Sequence, residues 1–468
     1  MNVIHISAEC YPVAKVGGLA DVVGALPIYQ NKLGVSSTVI MPFYDNVFTQ
    51  THQFTTLYRG SLSIGSKKIP FSIVSLKKSE LNFDLVLVDI PALLHTPYVY
   101  SADDTERFIA FQTATLDYII SQQELPTIIH CHDHHTGLIP FLMSHGKNYT
   151  ALKEIPSILT IHNAQYQGWF DYEHLPLIPD FDRAKIGLLD WNSTINPLAA
   201  AIKTAWQVVT VSPSYMAELQ VNANGLETLL QHEKQKCTGI LNGIDTTVWN
   251  PATDQFLPKT FGINNVQSGK KANKKWLCKR YQLDPKKPLF VFIGRLVREK
   301  GADLFNDVFT QALTENDIAI LLLGSGQSDI EDRIKELITP LKGTFNAHIG
   351  YDEQLSHVMY AGADFLLMPS RVEPCGLNQM YALRYGTVPV VHQIGGLKDT
   401  VIDISKNGVG FVHQQLTVSA ICKTISRATK FYSETDKFKK NRILIMQIDH
   451  SWDSSAASYI SLYNSLIH

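Results

Sequence analysis

A chain of 468 residues exceeds what one hydrophobic core usually supports, so two domains of roughly 200 residues each are expected. Its 45% hydrophobic and 18% charged residues are those of an ordinary globular protein, and a formal net charge of -2 argues against nucleic acid or a membrane surface as partner. No apolar run approaches the ~18 residues of a membrane span, Met1 leads almost at once into a strand with no room for a secretion leader, and the six cysteines lack paired spacing; the expected location is the cytoplasm.

β-branched runs alternate with helical periodicity along nearly the whole chain. Strands are expected at residues 3–7, 37–41, 128–131, 157–161 and 208–211, then at 289–293, 318–323, 365–368 and 388–391. Helices are expected at 105–121, 301–313, 329–337 and 378–385. This alternation means βαβ crossovers and mostly parallel, buried sheets, hence an α/β fold of two doubly wound, Rossmann-like domains facing a cleft. The expected division is 1–240 for the first domain and 241–450 for the second. Residues 451–468 carry a helical pattern from 452 to 466 and are expected to pack back on the first domain. The polar stretch at 264–275 (NNVQSGKKANKK) suits a solvated surface insertion.

In open α/β sheets ligands bind outside the carboxyl ends of the strands, and the unusual residues fall there. After the first strand comes Lys15-Val16-Gly17-Gly18-Leu19-Ala20-Asp21, and after 388–391 comes Gly395-Gly396-Leu397-Lys398-Asp399. Each puts Gly-Gly between a strand and a helix, where backbone N–H groups can approach an anion held at a helix start. Two such loops suggest two halves facing one anionic ligand.

After 128–131 runs His130-Cys131-His132-Asp133-His134-His135, in which His130 and His132 would share a strand face. Both types can ligate zinc, yet no second ligand cluster of fitting spacing follows, so a polar substrate site is preferred and no metal is expected. Ile161-His162-Asn163 ends another strand, where His162 reads either as a buried, satisfied histidine or as a substrate contact. Asn242-Gly243-Ile244-Asp245 reads as a turn, with Asn242 able to bond hydroxyls.

In the second half Gly294-Arg295-Leu296-Val297-Arg298-Glu299-Lys300-Gly301 offers a planar guanidinium fork at Arg295 and a point charge at Lys300, together a diphosphate clamp; a solvated charged loop is the competing reading. Ser370-Arg371-Val372-Glu373-Pro374-Cys375-Gly376-Leu377 locks Glu373 into a strand-to-helix turn, either for hydroxyl recognition or as a helix cap. Cys375 reads as packing, because no acid-base partner is evident. Gly324-Ser325-Gly326 is an incomplete dinucleotide fingerprint, with Asp329 where its third glycine should be. Asp180-Phe181-Asp182 reads as a surface turn.

Taken in order, these motifs resemble bacterial glycogen synthases and plant starch synthases (glycosyltransferase family 5), and the resemblance runs from Ser7 to Trp452. It implies the GT-B fold, no cofactor or metal, and transfer of glucose from a nucleotide sugar, ADP-glucose rather than UDP-glucose, to the non-reducing 4-hydroxyl of an α-1,4-glucan such as glycogen, with retention of configuration. It implies that Lys15, Gly17 and Gly18 approach the donor, with Asn242 and Tyr98 nearby. Asp21, Asp133 and His135 would surround sugar and acceptor, and His162 would lie beside the anomeric centre. Arg295 and Lys300 would neutralise the diphosphate, Glu373 would bind glucose hydroxyls, backbone N–H groups of Cys375, Gly376 and Leu377 would reach sugar or phosphate, and Tyr351 would stack on the base. His134 stands where the family has tryptophan and Asn378 where many relatives have threonine. Tyr381 occupies the place of a second glutamate in related retaining families, as it does in glycogen synthases. A nucleotide-sugar epimerase and a non-catalytic glucan-binding protein are the alternative functions.

Overall fold

The computed structural model describes residues 1–77 and 81–467, and the chain divides into two compact units: Met1–Asn242 with the segment from Trp452 on, and Gly243–Ser451. The strands described in the first unit are β1 (Asn2–Ile6), β2 (Ser36–Pro42), β3 (Phe54–Ile64), β4 (Lys67–Leu76), β5 (Asp84–Asp89), β6 (Ile128–His132), β7 (Ser157–Ile161), β8 (Asp190–Trp191), β9 (Thr194–Ile195), β10 (Gln207–Thr210) and β11 (Cys237–Gly239). β8 and β9 pair alone; the others form a sheet in the order β11-β10-β7-β6-β1-β2-β5-β4-β3. From β11 to β5 the pairing is parallel, with Val3 opposite Ser37 on one side and Ile128 on the other. Strands covered on both faces must be apolar on both, which is why they read as continuous Val/Ile runs. β3 and β4 form an antiparallel edge, exposed at many positions, and so escape a reading based on apolar runs.

The helix Trp452–Asn464 belongs to this first unit. It buries Trp452, Ala456, Tyr459 and Tyr463 in one core with Val3, Val22, Leu26, Ile128, Ile158 and Val209.

The second unit is a parallel sheet of β12 (Leu289–Ile293), β13 (Ala319–Gly324), β14 (Phe345–Ile349), β15 (Phe365–Met368), β16 (Val388–His392) and β17 (Phe411–His413), ordered β14-β13-β12-β15-β16-β17. Successive side chains alternate between two cores, Phe290 and Phe365 joining one and Val291 and Leu366 the other. In this unit the polar stretch at 264–275 departs from expectation. It is no solvated insertion: most of it lies in the helix Val266–Tyr281, with Lys270, Asn273 and Lys274 buried. Lys270 donates to the carbonyls of Tyr360 (3.0 Å) and Tyr385 (2.9 Å) and to the Thr387 hydroxyl (2.7 Å). Lys274 pairs at 2.6 Å with Asp364, which also takes Arg442. A buried cation is tolerable only when its partners are buried with it, and those partners come from distant segments that composition cannot reveal.

Each sheet has a point where strand order runs off in opposite directions, between β1 and β6 in the first unit and between β12 and β15 in the second. The loops leaving the carboxyl ends of these strands and of their neighbours β7, β14 and β16 carry the unusual residues.

Candidate active site

In the first unit the loop after β1 is organised by a residue the motif reading missed. Glu9, buried just beyond β1, accepts hydrogen bonds from the backbone N–H of Val16 (2.6 Å) and Gly17 (2.9 Å) and from the Tyr100 hydroxyl (2.5 Å). A carboxylate satisfied this way fixes the loop in front of the helix Gly18–Lys32. Lys15 pairs with Asp21 at 2.6 Å, so these two residues meet. Gly17 has an extended backbone, and a Cβ on Gly17 or Gly18 would have nothing within 4 Å. Neither conformation nor packing in the unit demands glycine there, and the space stays open for something else. Lys15, Val16, Phe48, His52, Tyr98 and Tyr100 are among the residues lining a cavity of about 620 Å3. Tyr98 is half-exposed with Arg107 over its ring, while Tyr100 is the tyrosine that reaches Glu9.

The loop after β6 begins with Asp133 at φ 56° and ψ -176°, a region that costs a non-glycine residue of order 1–3 kcal/mol. This conformation lets its carboxylate accept from the His162 N–H at 2.7 Å, joining the loops after β6 and β7. Burial pushes the Asp133 carboxyl up to about 7, against the two backbone hydrogen bonds that favour its charge. His162 is itself buried, pushed down to about 3 by burial, and its Nε2 lies 3.0 Å from His132 Nδ1. His135 is packed between Tyr100 (4.8 Å between centroids) and Phe108 (4.7 Å). His134 packs against His135, with tilted rings 3.7 Å apart, and against Gly168, where a Cβ would come within 2.3 Å of its ring, so this departure from tryptophan is a packed position. His130 and His132 do share a face, 4.4 Å apart, and with His5 they come close enough to hold a metal ion. Every ring nitrogen of the three nevertheless has a protein partner: His5 with Gln30 and His132, His132 with His5 and His162, His130 with Tyr463 and Thr160. Asn242 is buried, and its Oδ1 has no hydrogen-bond partner among the described residues.

In the second unit Lys300 and Glu373 come together. Lys300 Nζ lies 2.7 Å from Glu373 Oε1, and the Ser370 hydroxyl donates to Glu373 Oε2 at 2.8 Å. Gly301 makes this possible: its φ is 74°, and a Cβ would strike the Pro369 carbonyl at 2.2 Å, so only glycine lets the loop after β12 press on the loop after β15. Arg295 stands apart, more than half exposed and bound to Glu299 at 3.1 Å. Cys375 is buried, Gly376 takes φ 72°, and Leu377 precedes the helix Asn378–Arg384. Asn378 donates to the Ile293 carbonyl at 2.7 Å, tying this helix to the end of β12. Tyr381 stacks on Trp249 (3.8 Å), which also stacks on His357 (3.9 Å). Tyr351 is exposed beyond β14.

The second Gly-Gly pair is no twin of the first, contrary to expectation. A Cβ on Gly395 would meet the Glu373 carbonyl and one on Gly396 the Cys375 carbonyl, each at 2.1 Å, and the Gly396 N–H is bonded to the carbonyls of Glu373 and Pro374. These glycines seat the short helix Gly395–Thr400 against the Glu373 turn. Gly324 and Gly326 likewise pack against the carbonyls of Gly294 and Leu296, which accounts for the incomplete fingerprint.

Residues 2–232 match the starch synthase catalytic domain family and residues 275–443 the glycosyl transferases group 1 family. Over 472 residues, covering 100% of this chain and 99% of the relative, the sequence is 49% identical to a glycogen synthase of Flavobacterium johnsoniae. The chain belongs to the glycogen and starch synthase family. It is also 36% identical to a glycogen synthase of Streptococcus pneumoniae strain Hungary19A-6, with both chains covered in full. The catalytic domain of starch synthase IV from Arabidopsis thaliana, solved bound to ADP and acarbose, matches with a TM-score of 0.90 at 32% identity over 99% of each chain. A sucrose-phosphate synthase from Thermosynechococcus elongatus shares the fold, with a TM-score of 0.65 at 18% identity over 99% of this chain and 98% of that one. The chain is thus a glycosyltransferase of GT-B fold, and among its described residues no helix is long and apolar enough to cross a membrane.

Proposed function

We propose that this chain, acting in the cytoplasm, transfers glucose from ADP-glucose to the non-reducing 4-hydroxyl of an α-1,4-glucan with retention of configuration. The observation that carries this reading is Glu373 held between Lys300 and Ser370 at the carboxyl ends of β12 and β15, in a chain 49% identical to a glycogen synthase. Breaking a glucosyl-phosphate bond builds negative charge on the diphosphate and positive charge on the sugar. Lys300 and Arg295 supply positive charge against the first. Glu373 has lone pairs beyond those given to Lys300 and Ser370, and these accept from glucose hydroxyls. Backbone N–H groups of Cys375, Gly376 and Leu377 reach sugar or phosphate, and Tyr351 stacks on the base. Lys15, Gly17, Gly18, Tyr98 and Asn242 contact the donor, Asp21, Asp133 and His135 surround sugar and acceptor, and His162 lies beside the anomeric carbon. The acceptor attacks from the face the diphosphate leaves, and the departing phosphate helps take its proton.

ADP in the solved Arabidopsis relative supports adenine as the base. The test is competition between ADP-glucose and UDP-glucose on glycogen after exhaustive chelation. Transfer should survive chelation, and kcat/KM for ADP-glucose should be higher by at least ~10-fold. A higher value with UDP-glucose overturns the donor, and loss of activity restored only by metal revives a metal at the histidine cluster. Formation of an epimer without chain extension indicates an epimerase. Glucan binding without turnover leaves only a binding protein.

A further inference from the structure

The loop carrying His162 is connected to the interior of the first unit by a line of hydrogen-bonded side chains, through His132 and His5 to Gln30, and the proposed chemistry gives that connection no role. β7, β6 and β1 are neighbours, with His5 opposite His130 and His132 opposite Thr160 in register. Gln30, on the helix Gly18–Lys32, starts the line: its Oε1 accepts from the Ser37 hydroxyl (2.7 Å) and faces His5 Nε2 (2.8 Å), while its amide nitrogen donates to the Tyr463 hydroxyl (3.0 Å). His5 Nδ1 lies 3.1 Å from His132 Nε2, and His132 Nδ1 lies 3.0 Å from His162 Nε2. His162 Nδ1, at the other end, has no hydrogen-bond partner among the described residues.

A neutral imidazole has one donor and one acceptor nitrogen, so a chain of them has a direction. Burial keeps all three rings neutral, holding His5 at about 4, His162 at about 3 and His132 well below its ordinary value. The Gln30 carbonyl oxygen can only accept, so His5 Nε2 carries the proton and His5 Nδ1 accepts. His132 must then donate from Nε2 and accept at Nδ1, and His162 must donate from Nε2.

We propose that Gln30, His5 and His132 are positioning residues, a directed hydrogen-bond chain that fixes His162 as its Nε2–H tautomer and presents Nδ1 as an acceptor for a sugar hydroxyl. The naming of the ligand rests on the proposed transferase reading; the tautomer is a property of the free protein and does not.

The experiment uses the full chain with 15N-labelled histidine. Long-range 1H–15N correlation spectra assign the tautomer of each ring, and kinetics with ADP-glucose and glycogen follow on the same samples. The wild type should show Nε2–H at His5, His132 and His162, unchanged between pH 6.5 and 8.5. His132→Phe should scramble the His162 tautomer and lower kcat by about tenfold or more with the donor KM little changed, the size of one misdirected hydrogen bond. His132→Asn, whose carbonyl can accept from His162 Nε2–H, should restore both the tautomer and most of kcat. Should His132→Phe fail to fold, Gln30→Met leaves every ring in place, removes the anchor together with its bonds to Ser37 and Tyr463, and should give the same mixture. An Nδ1–H or mixed His162 in the wild type overturns the proposal, as does a scrambled tautomer with wild-type kcat. If the wild type transfers no glucose, the transferase reading fails while the tautomer spectrum still decides the chain.

Discussion

At the scale of single residues, Lys300 and Glu373 are bonded to each other, whereas Arg295 is bound to Glu299 at a more exposed position. Removing Lys300 takes a cation from a substrate and also leaves a buried carboxylate short of its partner, so Lys300→Ala should lower transfer more than Arg295→Ala. Reductions of about a hundredfold or more and about tenfold respectively are expected in kcat/KM, with Glu373→Gln resembling Lys300→Ala. A kcat/KM near wild type for all three would remove the second-unit site from the chemistry. Legibility in the sequence followed the kind of residue. Cations and glycines beside strands stood out because their chemistry is local. Glu9 and Tyr100 did not, since a carboxylate that serves a loop seven or eight residues away, and a tyrosine 91 residues away, becomes visible only when the chain folds.

At the scale of elements, the loop after β12 meets the loop after β15 through the Gly301 contact with Pro369. Gly301→Ala combines a left-handed backbone with a backbone clash, so the loops must separate and Lys300 must leave Glu373. Activity should fall by at least an order of magnitude although residue 301 is proposed to touch no substrate, and stability should drop by about 1–3 kcal/mol. Unchanged turnover in a folded variant would show that this contact does not set the site. The same scale explains what sequence periodicity could deliver. β7, β12 and β15 have the expected bounds because buried parallel strands are apolar throughout. β3, β4 and the helix Val266–Tyr281 were lost, the first two to an exposed face, the last to lysines satisfied by distant carbonyls and Asp364.

At the scale of the whole molecule, buried histidines should dominate the response to acid. His5, His134 and His413 are pushed down to about 4 and His162 to about 3, and His130, His132 and His135 well below their ordinary value, in each case chiefly by burial. Their folded values lie below the unfolded one, so their contribution is complete above about pH 6.5 and is lost as pH falls toward 4. Asp133, raised to about 7, acts in the opposite direction, favouring the folded state at low pH and losing that contribution as pH rises through 7. The lowered histidines outnumber the raised carboxyls of Asp133 and Asp117, so unfolding near pH 5 should take up several protons. Calorimetric unfolding in buffers of different ionisation enthalpy measures that uptake; stability flat from pH 6.5 to 4.5 would mean that these rings are not held neutral. The central claim is retaining transfer to a 4-hydroxyl, and it is read most directly from the new bond. With ADP-glucose labelled at the anomeric carbon and a maltooligosaccharide acceptor, NMR of the extended product should show one new α-1,4 linkage at the non-reducing end. A β linkage, or label found only in free glucose, would contradict the account.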